Sequence, residues 1–200
     1  YQRKATMLDA LCHALESWWS VNSTEESRAY AAEAVRQVFQ YEKAYLANEQ
    51  EGNEGMLEAA NTAGRAINIT QTTAGHAMCY KLTTLYGLAH GHAAAFCVAA
   101  LWPYMAAHME DCIDPRGSAY LQEMFQGLAE VMGCTGVEGS IERYRAFLEE
   151  LALPVPVMRS GSELEILKHS VNPDRLKNNP VLLTEETLEA LYRQILKQEE

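Results

Sequence analysis

Asp9 and His13 are the first residues in the chain whose types and spacing could bind a metal ion. They stand four residues apart within sequence of helical periodicity. On a helix, this spacing puts both side chains on one face, with Cβ atoms about 5–6 Å apart. Such a pair can chelate one ion, but an acid and a histidine at this spacing are also common as a solvated pair on a helix surface.

His76 and His90 form a second candidate pair, fourteen positions apart in the sequence. One straight helix would separate them by about 21 Å, whereas ligands of one ion must lie within about 4 Å of each other. They can share a metal only if the chain turns between them, and Gly87 allows such a turn. His92 competes with His90 but would point to another side of a helix. His76 and His90 could also be ordinary buried residues that are hydrogen-bonded to backbone.

The elements that must position these residues are predicted to be helices. Leucines and a tryptophan recur every three or four residues over 7–19, which indicates one apolar helical stripe. Ser23 and Glu26 fit a capping box that starts a second helix, running to about residue 47. The polar stretch 48–53 is predicted as a turn. Further helices are predicted at 55–69, 74–86, 91–108, 118–132, 138–151, 161–170 and 184–198.

Few segments alternate with a period of two residues, so a sheet is not expected, and the pattern predicts a compact all-α bundle of seven to nine helices. The 200 residues are enough for one domain with a sizeable core. There are 16 Lys and Arg against 27 Asp and Glu, a net charge of −11. This acidity argues against nucleic acid as a partner, and no apolar run is long enough to cross a membrane.

Five cysteines, an odd number without a C-x-x-C pair, are typical of reduced thiols. We therefore predict a cytoplasmic location.

Several segments resemble the iron-containing, group III alcohol dehydrogenases. The residues from Asp9 to Glu16 resemble that family's D-A-x-x-H-A-x-E segment. The segments around His76 and His90, in H-x13-H spacing, resemble its second and third metal segments. Residues 178–180, Asn-Asn-Pro, followed by a helix at Thr184, resemble its closing segment. The resemblance covers essentially the whole chain.

The resemblance implies that residues 1–200 form the all-α, dehydroquinate synthase-like C-terminal domain of a two-domain enzyme. It implies Asp9, His13, His76 and His90 as ligands of Fe²⁺, or of Zn²⁺ or another divalent ion. In this family, NAD(P)H is bound mainly by an N-terminal α/β domain through a glycine-rich loop. No such loop occurs in this sequence. We therefore expect that domain to be absent here, the chain alone to be inactive, and the full-length enzyme to be a homodimer.

The stretches 66–73 and 79–83 are similar to family members that reduce phosphonoacetaldehyde. Many members carry a histidine four residues after the first metal histidine, and here Tyr80 takes that place. Tyr80 is the candidate catalytic residue, either donating a proton through its hydroxyl or only lining the cleft. Lys81 is the candidate substrate-binding cation, with Arg65 as a second. Both could also be surface charges on helices.

The leading hypothesis is a metal-dependent reductase of small aldehydes, in which the ion polarises the carbonyl while hydride arrives from NAD(P)H. Three imidazoles and one carboxylate suit Fe(II), but also Zn, Ni or Mn. One alternative is an enzyme like glycerol dehydrogenase or dehydroquinate synthase, which share the architecture. Another is a non-enzymatic helical module that binds metal or a protein.

Overall fold

The chain is almost entirely helical in the computed structural model, which describes residues 1–198. The α-helices are α1 (Gln2–Trp19), α2 (Glu25–Leu46), α3 (Gln50–Thr70), α4 (Ala74–Tyr86), α5 (His90–Ala107), α6 (Ser118–Val131), α7 (Gly136–Leu151), α8 (Ser162–His169), α9 (Pro173–Leu176) and α10 (Glu185–Ile195). A 3₁₀ turn, Met109–Asp111, follows α5. The predicted all-α class is confirmed, with ten α-helices within 1–198 because α9 is an additional single turn.

Helices α1 and α5 form the centre of the bundle. Helix α1 packs against α2, α3, α5 and α6, so most of its residues from Ala5 to Trp19 are buried. Helix α5 is apolar on nearly every side and is buried along most of its length, as expected for a helix surrounded by others. Trp19 joins the two, since its ring centre lies 5.5 Å from that of Trp102 on α5.

Helices α2 and α3 form a hairpin with a shorter link than predicted. The predicted turn at 48–53 is wrong, because the link is only 47–49 and α3 begins at Gln50. Gly52 lies inside α3, where an added Cβ would stand 2.2 Å from the carbonyl carbon of Ala44. The glycine marks a close crossing of two helices rather than a turn.

The start of α2 also differs from the prediction. Thr24 and Ser27 form the capping box, with Ser27 N donating to Thr24 Oγ1 and Thr24 N donating to Ser27 Oγ. The predicted box of Ser23 and Glu26 is wrong by one position. The hydroxyl of Ser23 instead accepts a hydrogen bond from Arg116.

The C-terminal part contains a small element that the sequence pattern did not predict. Two strands, β1 (Val157–Met158) and β2 (Lys197–Gln198), pair in parallel. Helix α10 ends at Ile195, earlier than the predicted 198, because Leu196 adopts an extended backbone and Lys197 N donates to Pro156 O. Among the described helices, none has the length and hydropathy of a membrane span.

Candidate metal centre

One face of α1 carries three potential ligands or ligand partners. Asp9, His13 and Glu16 follow each other at spacings of four and three residues within the unbroken helix Gln2–Trp19. These spacings align side chains along one helical face. That face is directed at α4, because His76 on α4 contacts both Asp9 and Glu16.

The turn between α4 and α5 brings His76 and His90 together. Gly87 ends α4 in the left-handed conformation, with φ of 67°, which costs glycine little. Helix α5 then begins at His90 and packs against α4. The ring centres of His76 and His90 lie 5.2 Å apart, so the turn predicted at Gly87 is confirmed.

Asp9, His76 and His90 together offer three ligand atoms that all lie within 4.8 Å of one another. Asp9 Oδ1 is 3.4 Å from His76 Nε2 and 3.7 Å from His90 Nε2. The His76 side chain is 1% exposed, whereas those of Asp9 and His90 are 31% and 38% exposed. The cluster is therefore closed on the α4 side and open to solvent beside His90.

Two atoms of this cluster are buried without a hydrogen-bond partner. Asp9 Oδ1 and His76 Nε2 are inaccessible to solvent, and they form no hydrogen bond with each other despite their proximity. An unpaired buried polar atom costs about 1–3 kcal/mol. A divalent cation between these atoms would satisfy both at once. The donor set of one carboxylate and imidazoles matches the preferences of Zn, Fe and Ni ions, so the residues fit a metal.

Glu16 fixes the position of His76 through hydrogen bonds. Its buried carboxylate accepts hydrogen bonds from His76 Nδ1, from the backbone N–H of His76 and Thr73, and from the Thr73 hydroxyl. Gly75 makes room for it, since an added Cβ would stand 2.9 Å from Glu16 Oε1. With a metal bound, a proton held on Nδ1 by Glu16 would leave Nε2 as the lone-pair nitrogen on the side of Asp9. Carboxylate–histidine pairs of this kind orient metal-binding histidines.

The charges in the cluster favour a cation. Burial opposes ionisation of Asp9 and Glu16. The neighbouring imidazoles outweigh it at Asp9, and the His76 imidazole with the hydrogen bonds from His76 and Thr73 outweighs it at Glu16, so the pKa of each carboxyl lies below its ordinary value. Burial likewise opposes protonation of His76, but Glu16 and Asp9 raise its pKa to about 9. Burial lowers the pKa of both His13 and His90. At neutral pH, two imidazoles are therefore neutral and able to bind a metal.

His13 lies next to the three-residue group but not within it. Its ring stacks on that of His76, with centres 4.5 Å apart and planes at 15°. In this arrangement its nitrogens are not part of the group formed by Asp9, His76 and His90. The predicted role of His13 as a fourth ligand therefore stays a prediction.

Tyr80 borders the cluster on its open side. Its ring centre lies 5.3 Å from that of His90, and the residue is 44% exposed. Lys81, the next residue of α4, is half-buried. The predicted roles of Tyr80 in catalysis and of Lys81 in substrate binding stay predictions.

Other residues considered from the sequence lie elsewhere. His92 Nδ1 is 2.9 Å from the Tyr1 hydroxyl, and its ring edge packs on Phe96, so it points away from the cluster. Arg65 lies over the ring of Tyr30 on α2, with its guanidinium carbon 4.0 Å from the ring centre.

Sequence reasoning missed two charged neighbours of the centre. Glu16 could have been found from its position seven residues after Asp9 on the same helix face. Arg175 lies over the ring of Tyr80, 4.9 Å from the ring centre, and its charge contributes to lowering the pKa of His90, after the larger effect of burial. No local spacing links Arg175 to the other site residues.

Comparison with known proteins identifies the family of the chain. Residues 4–196 match the model of the iron-containing alcohol dehydrogenase family, C-terminal part. The chain is 32% identical to the phosphonoacetaldehyde reductase of Streptomyces viridochromogenes, over 97% of this chain and 50% of that protein. The chain thus spans about half the length of this curated relative.

Two solved structures share the fold. An iron-containing alcohol dehydrogenase from Thermotoga maritima is 30% identical, with a TM-score of 0.79 over 97% of this chain and 49% of that one. The sulfoacetaldehyde reductase of Bifidobacterium kashiwanohense, in complex with NAD⁺, is 25% identical, with a TM-score of 0.81 over 96% of this chain and 50% of that one. The chain belongs to the iron-containing alcohol dehydrogenase family and corresponds to the C-terminal part of its members.

Proposed function

We propose that this chain is the metal-binding catalytic domain of an NAD(P)H-dependent alcohol dehydrogenase that reduces small aldehydes. The observation that carries the proposal is the convergence of Asp9 Oδ1 and His76 Nε2, both buried and unpaired, with His90 at the rim. In this proposal, Asp9, His76 and His90 hold a divalent ion, with His13 as the fourth ligand. The metal is Fe²⁺, or Zn²⁺ or another ion that accepts the same donors.

The residues around the centre would divide the work between them. A bound divalent ion supplies Lewis acidity, which polarises the carbonyl group of the aldehyde. Glu16 keeps the His76 ring in one tautomer and orientation through its contact with Nδ1. The exposed side of His90, bordered by Tyr80, is where the substrate enters.

Tyr80 has two possible roles at this entrance. Its hydroxyl could donate the proton that the reduced oxygen receives, or its ring could only shape the cleft. A Tyr80→Phe substitution separates them, because it removes the proton and keeps the ring. Lys81 is proposed to attract a negatively charged substrate from its place beside Tyr80.

Phosphonoacetaldehyde is the substrate we propose. The support is the 32% identity to a phosphonoacetaldehyde reductase over nearly the whole chain. The similarity to a sulfoacetaldehyde reductase points in the same direction, because both names describe acetaldehyde with one anionic group.

The cofactor and the assembly are proposed as follows. NAD(P)H is held mainly by a nucleotide-binding domain outside these 200 residues, since the sequence contains no glycine-rich phosphate loop between a strand and a helix. The complete enzyme is a homodimer. Its location is cytoplasmic, in keeping with five cysteines that form no disulfide.

Metal loading tests the proposal. The chain is incubated anaerobically with Fe²⁺ or Zn²⁺, freed of excess metal, and measured by elemental analysis, with one ion per chain expected. X-ray absorption then counts imidazole ligands, of which three are expected if His13 rotates into the site. Failure to retain a stoichiometric ion under any of these conditions would refute the metal centre.

An activity assay tests the reaction itself. A longer protein that joins this chain to a dinucleotide-binding domain should oxidise NAD(P)H with phosphonoacetaldehyde faster than with glyceraldehyde or propanal. The 200-residue chain alone should give no turnover, because in this proposal the cofactor is held mainly by the other domain. Turnover by the chain alone would contradict the proposed division between domains.

A further inference from the structure

Arg175 is a cation held in place beside the metal centre. It lies in α9, the single turn that precedes α10, and its Nη1 donates to Thr72 Oγ1 at 2.8 Å. Asn178 ties the same segment to the same residue, since its Nδ2 donates to Thr72 O at 3.1 Å. Thr72 stands just before α4, which carries His76 and Tyr80. Two hydrogen bonds to Thr72 thus fix the position of the segment that carries Arg175 relative to the start of α4.

The guanidinium of Arg175 has donors to spare. Arg116, Arg159 and Arg193 each pair with a carboxylate, but Arg175 forms no such pair within residues 1–198. Its neighbour Asp174 pairs with Lys177 instead. A guanidinium has five N–H groups in a fork that matches an oxyanion bidentately, and the bond to Thr72 uses one of them.

The position of Arg175 fits the length of a short substrate. Its guanidinium carbon lies 4.9 Å from the centre of the Tyr80 ring, and that ring lies 5.3 Å from the ring of His90. The guanidinium and the His90 ring are therefore at most about 10 Å apart. A two-carbon molecule spans about 8–10 Å when a metal would bind an oxygen at one end and hydrogen bonds hold an oxyanion at the other.

We propose that Arg175 binds the anionic head group of the substrate, a short aldehyde or alcohol that ends in a tetrahedral oxyanion such as a phosphonate or a sulfonate. The inference rests on the proposed function for the metal end of that substrate and adds the residue that recognises the other end. Tyr80 then lies along the substrate between the two. Arg175 replaces Lys81 as the main determinant of specificity for a charged aldehyde, because its partly buried fork is held in position whereas an ammonium on a flexible stem is not.

A binding experiment on the zinc-loaded chain tests this inference. The probes are 2-hydroxyethylphosphonate, 2-hydroxyethanesulfonate and the neutral 1-propanol, each followed by NMR titration. Arg175→Met should raise the Kd of the favoured anion about tenfold to a hundredfold, the range for charge-assisted hydrogen bonds. The Kd of Arg175→Lys for this anion should lie between those of the wild type and Arg175→Met. The Kd values of the variants for 1-propanol and for zinc should change less than about twofold. The ratio of the two anion affinities in the wild type identifies the head group.

Arg65→Met is the matched control, because Arg65 also packs on a tyrosine ring but lies away from the centre. It should leave all three affinities unchanged. The inference is overturned if Arg175→Met binds both anions like the wild type, if it weakens 1-propanol equally, or if Lys81→Met causes the loss instead.

A second probe tests the anion site independently of metal binding. Ethylphosphonate has no hydroxyl with which to bind a metal, so it reports on the anion site in the metal-free chain. If zinc does not bind, the proposed function fails, yet loss of ethylphosphonate binding in Arg175→Met would still support the anion site. Binding of ethylphosphonate that does not depend on Arg175 would refute it.

Discussion

Two buried charged clusters lie along the chain, and they differ in how their polar atoms are paired. Around Asp114, Arg116 donates to both carboxylate oxygens and also to the backbone carbonyls of Ser20 and Ser23. At the candidate metal centre, Asp9 Oδ1 and His76 Nε2 lie 3.4 Å apart but form no hydrogen bond.

The difference separates a structural cluster from a binding cluster. A buried ion pair whose donors and acceptors are all used joins the elements around it and has no capacity for a ligand. A cluster that keeps buried acceptors unpaired is costly unless something binds there. The Asp114 cluster therefore joins elements of the fold, whereas the Asp9 cluster has the unpaired buried atoms that the proposed cation would contact.

Removing a ligand should have the largest effect. Asp9→Ala and His76→Ala should each weaken metal binding about a hundredfold to a thousandfold, or about 3–4 kcal/mol, roughly a quarter of the 10–16 kcal/mol typical of structural zinc sites. The measurement is the Kd from competition with a chelator of known affinity. His108→Ala is the control, since His108 stacks on Tyr104 outside the centre. Unchanged affinity in either ligand variant would remove the distinction between the clusters.

Breaking the Asp114 cluster should have the next largest effect. It should lower the free energy of unfolding rather than the metal affinity. Arg116→Met leaves the buried Asp114 carboxylate without its partner, so we expect the free energy of unfolding to fall by about 3 kcal/mol. Urea denaturation of the metal-free chain measures this. Metal affinity in the folded variant should stay within about twofold of the wild type, because no residue of this cluster reaches the centre. A loss of metal binding would mean that the two clusters are coupled.

Weakening the support of His76 should have a smaller effect on the metal. Glu16→Gln keeps the shape but removes the charge that orients the ring, so metal affinity should fall about tenfold to a hundredfold. Glu163→Gln is a matched control, because Glu163 is also a buried acid but contacts Tyr86 and Arg159 instead. Equal effects of the two variants would show that Glu16 contributes only to folding.

The stability of the metal-free chain should change gradually with pH. The pKa of His76 is raised to about 9 in the fold, above its ordinary value of 6.5, so its protonation stabilises the metal-free chain below pH 6.5. This stability is lost as the pH rises from 6.5 to 9, at no more than about 1.4 kcal/mol per pH unit for one proton.

Urea denaturation with EDTA at pH 6.5, 7.5 and 9 measures this loss. Metal affinity should change in the other direction, rising over the same range because the ion competes with the proton on His76. Glu16→Gln should flatten the stability profile. A wild-type stability that rises with pH would contradict the assignment of the proton to His76.

Most helices could be predicted from the sequence because hydrophobic periodicity is a local signal. Helix α4 was predicted at 74–86 and is confirmed there, since the non-helical residues 71–73 and a left-handed Gly87 bound it. The cap of α2 was missed by one residue, because both Ser23 and Thr24 satisfy the local rule, and the sequence does not show that the hydroxyl of Ser23 contacts the distant Arg116 instead. The stretch 48–53, which contains Gly52, was wrongly predicted as a turn. The sequence pattern does not show that Gly52 packs against α2.

The centre was predictable where its residues follow helical spacing. Asp9 and His13 share a face of α1, and the turn at Gly87 allowed His76 and His90 to meet. The structure brings Asp9, His76 and His90 together, while metal binding by all four residues stays a prediction. Arg175 could not be found this way, because about a hundred residues separate it from Thr72 and Tyr80, and only the folded chain places it over that ring.

Gly91 also limits how the centre can be redesigned. A Cβ at this position would stand 2.0 Å from the carbonyl oxygen of Ala5 and 2.7 Å from the Cβ of Asp9, so the main chains of α1 and α5 are already in contact beside the ligands. The gap between Asp9 and His90 is consequently fixed by backbone atoms, which cannot move apart without opening the bundle. Attempts to convert the centre to a different ion should exchange the donor atoms and leave the helix separation untouched.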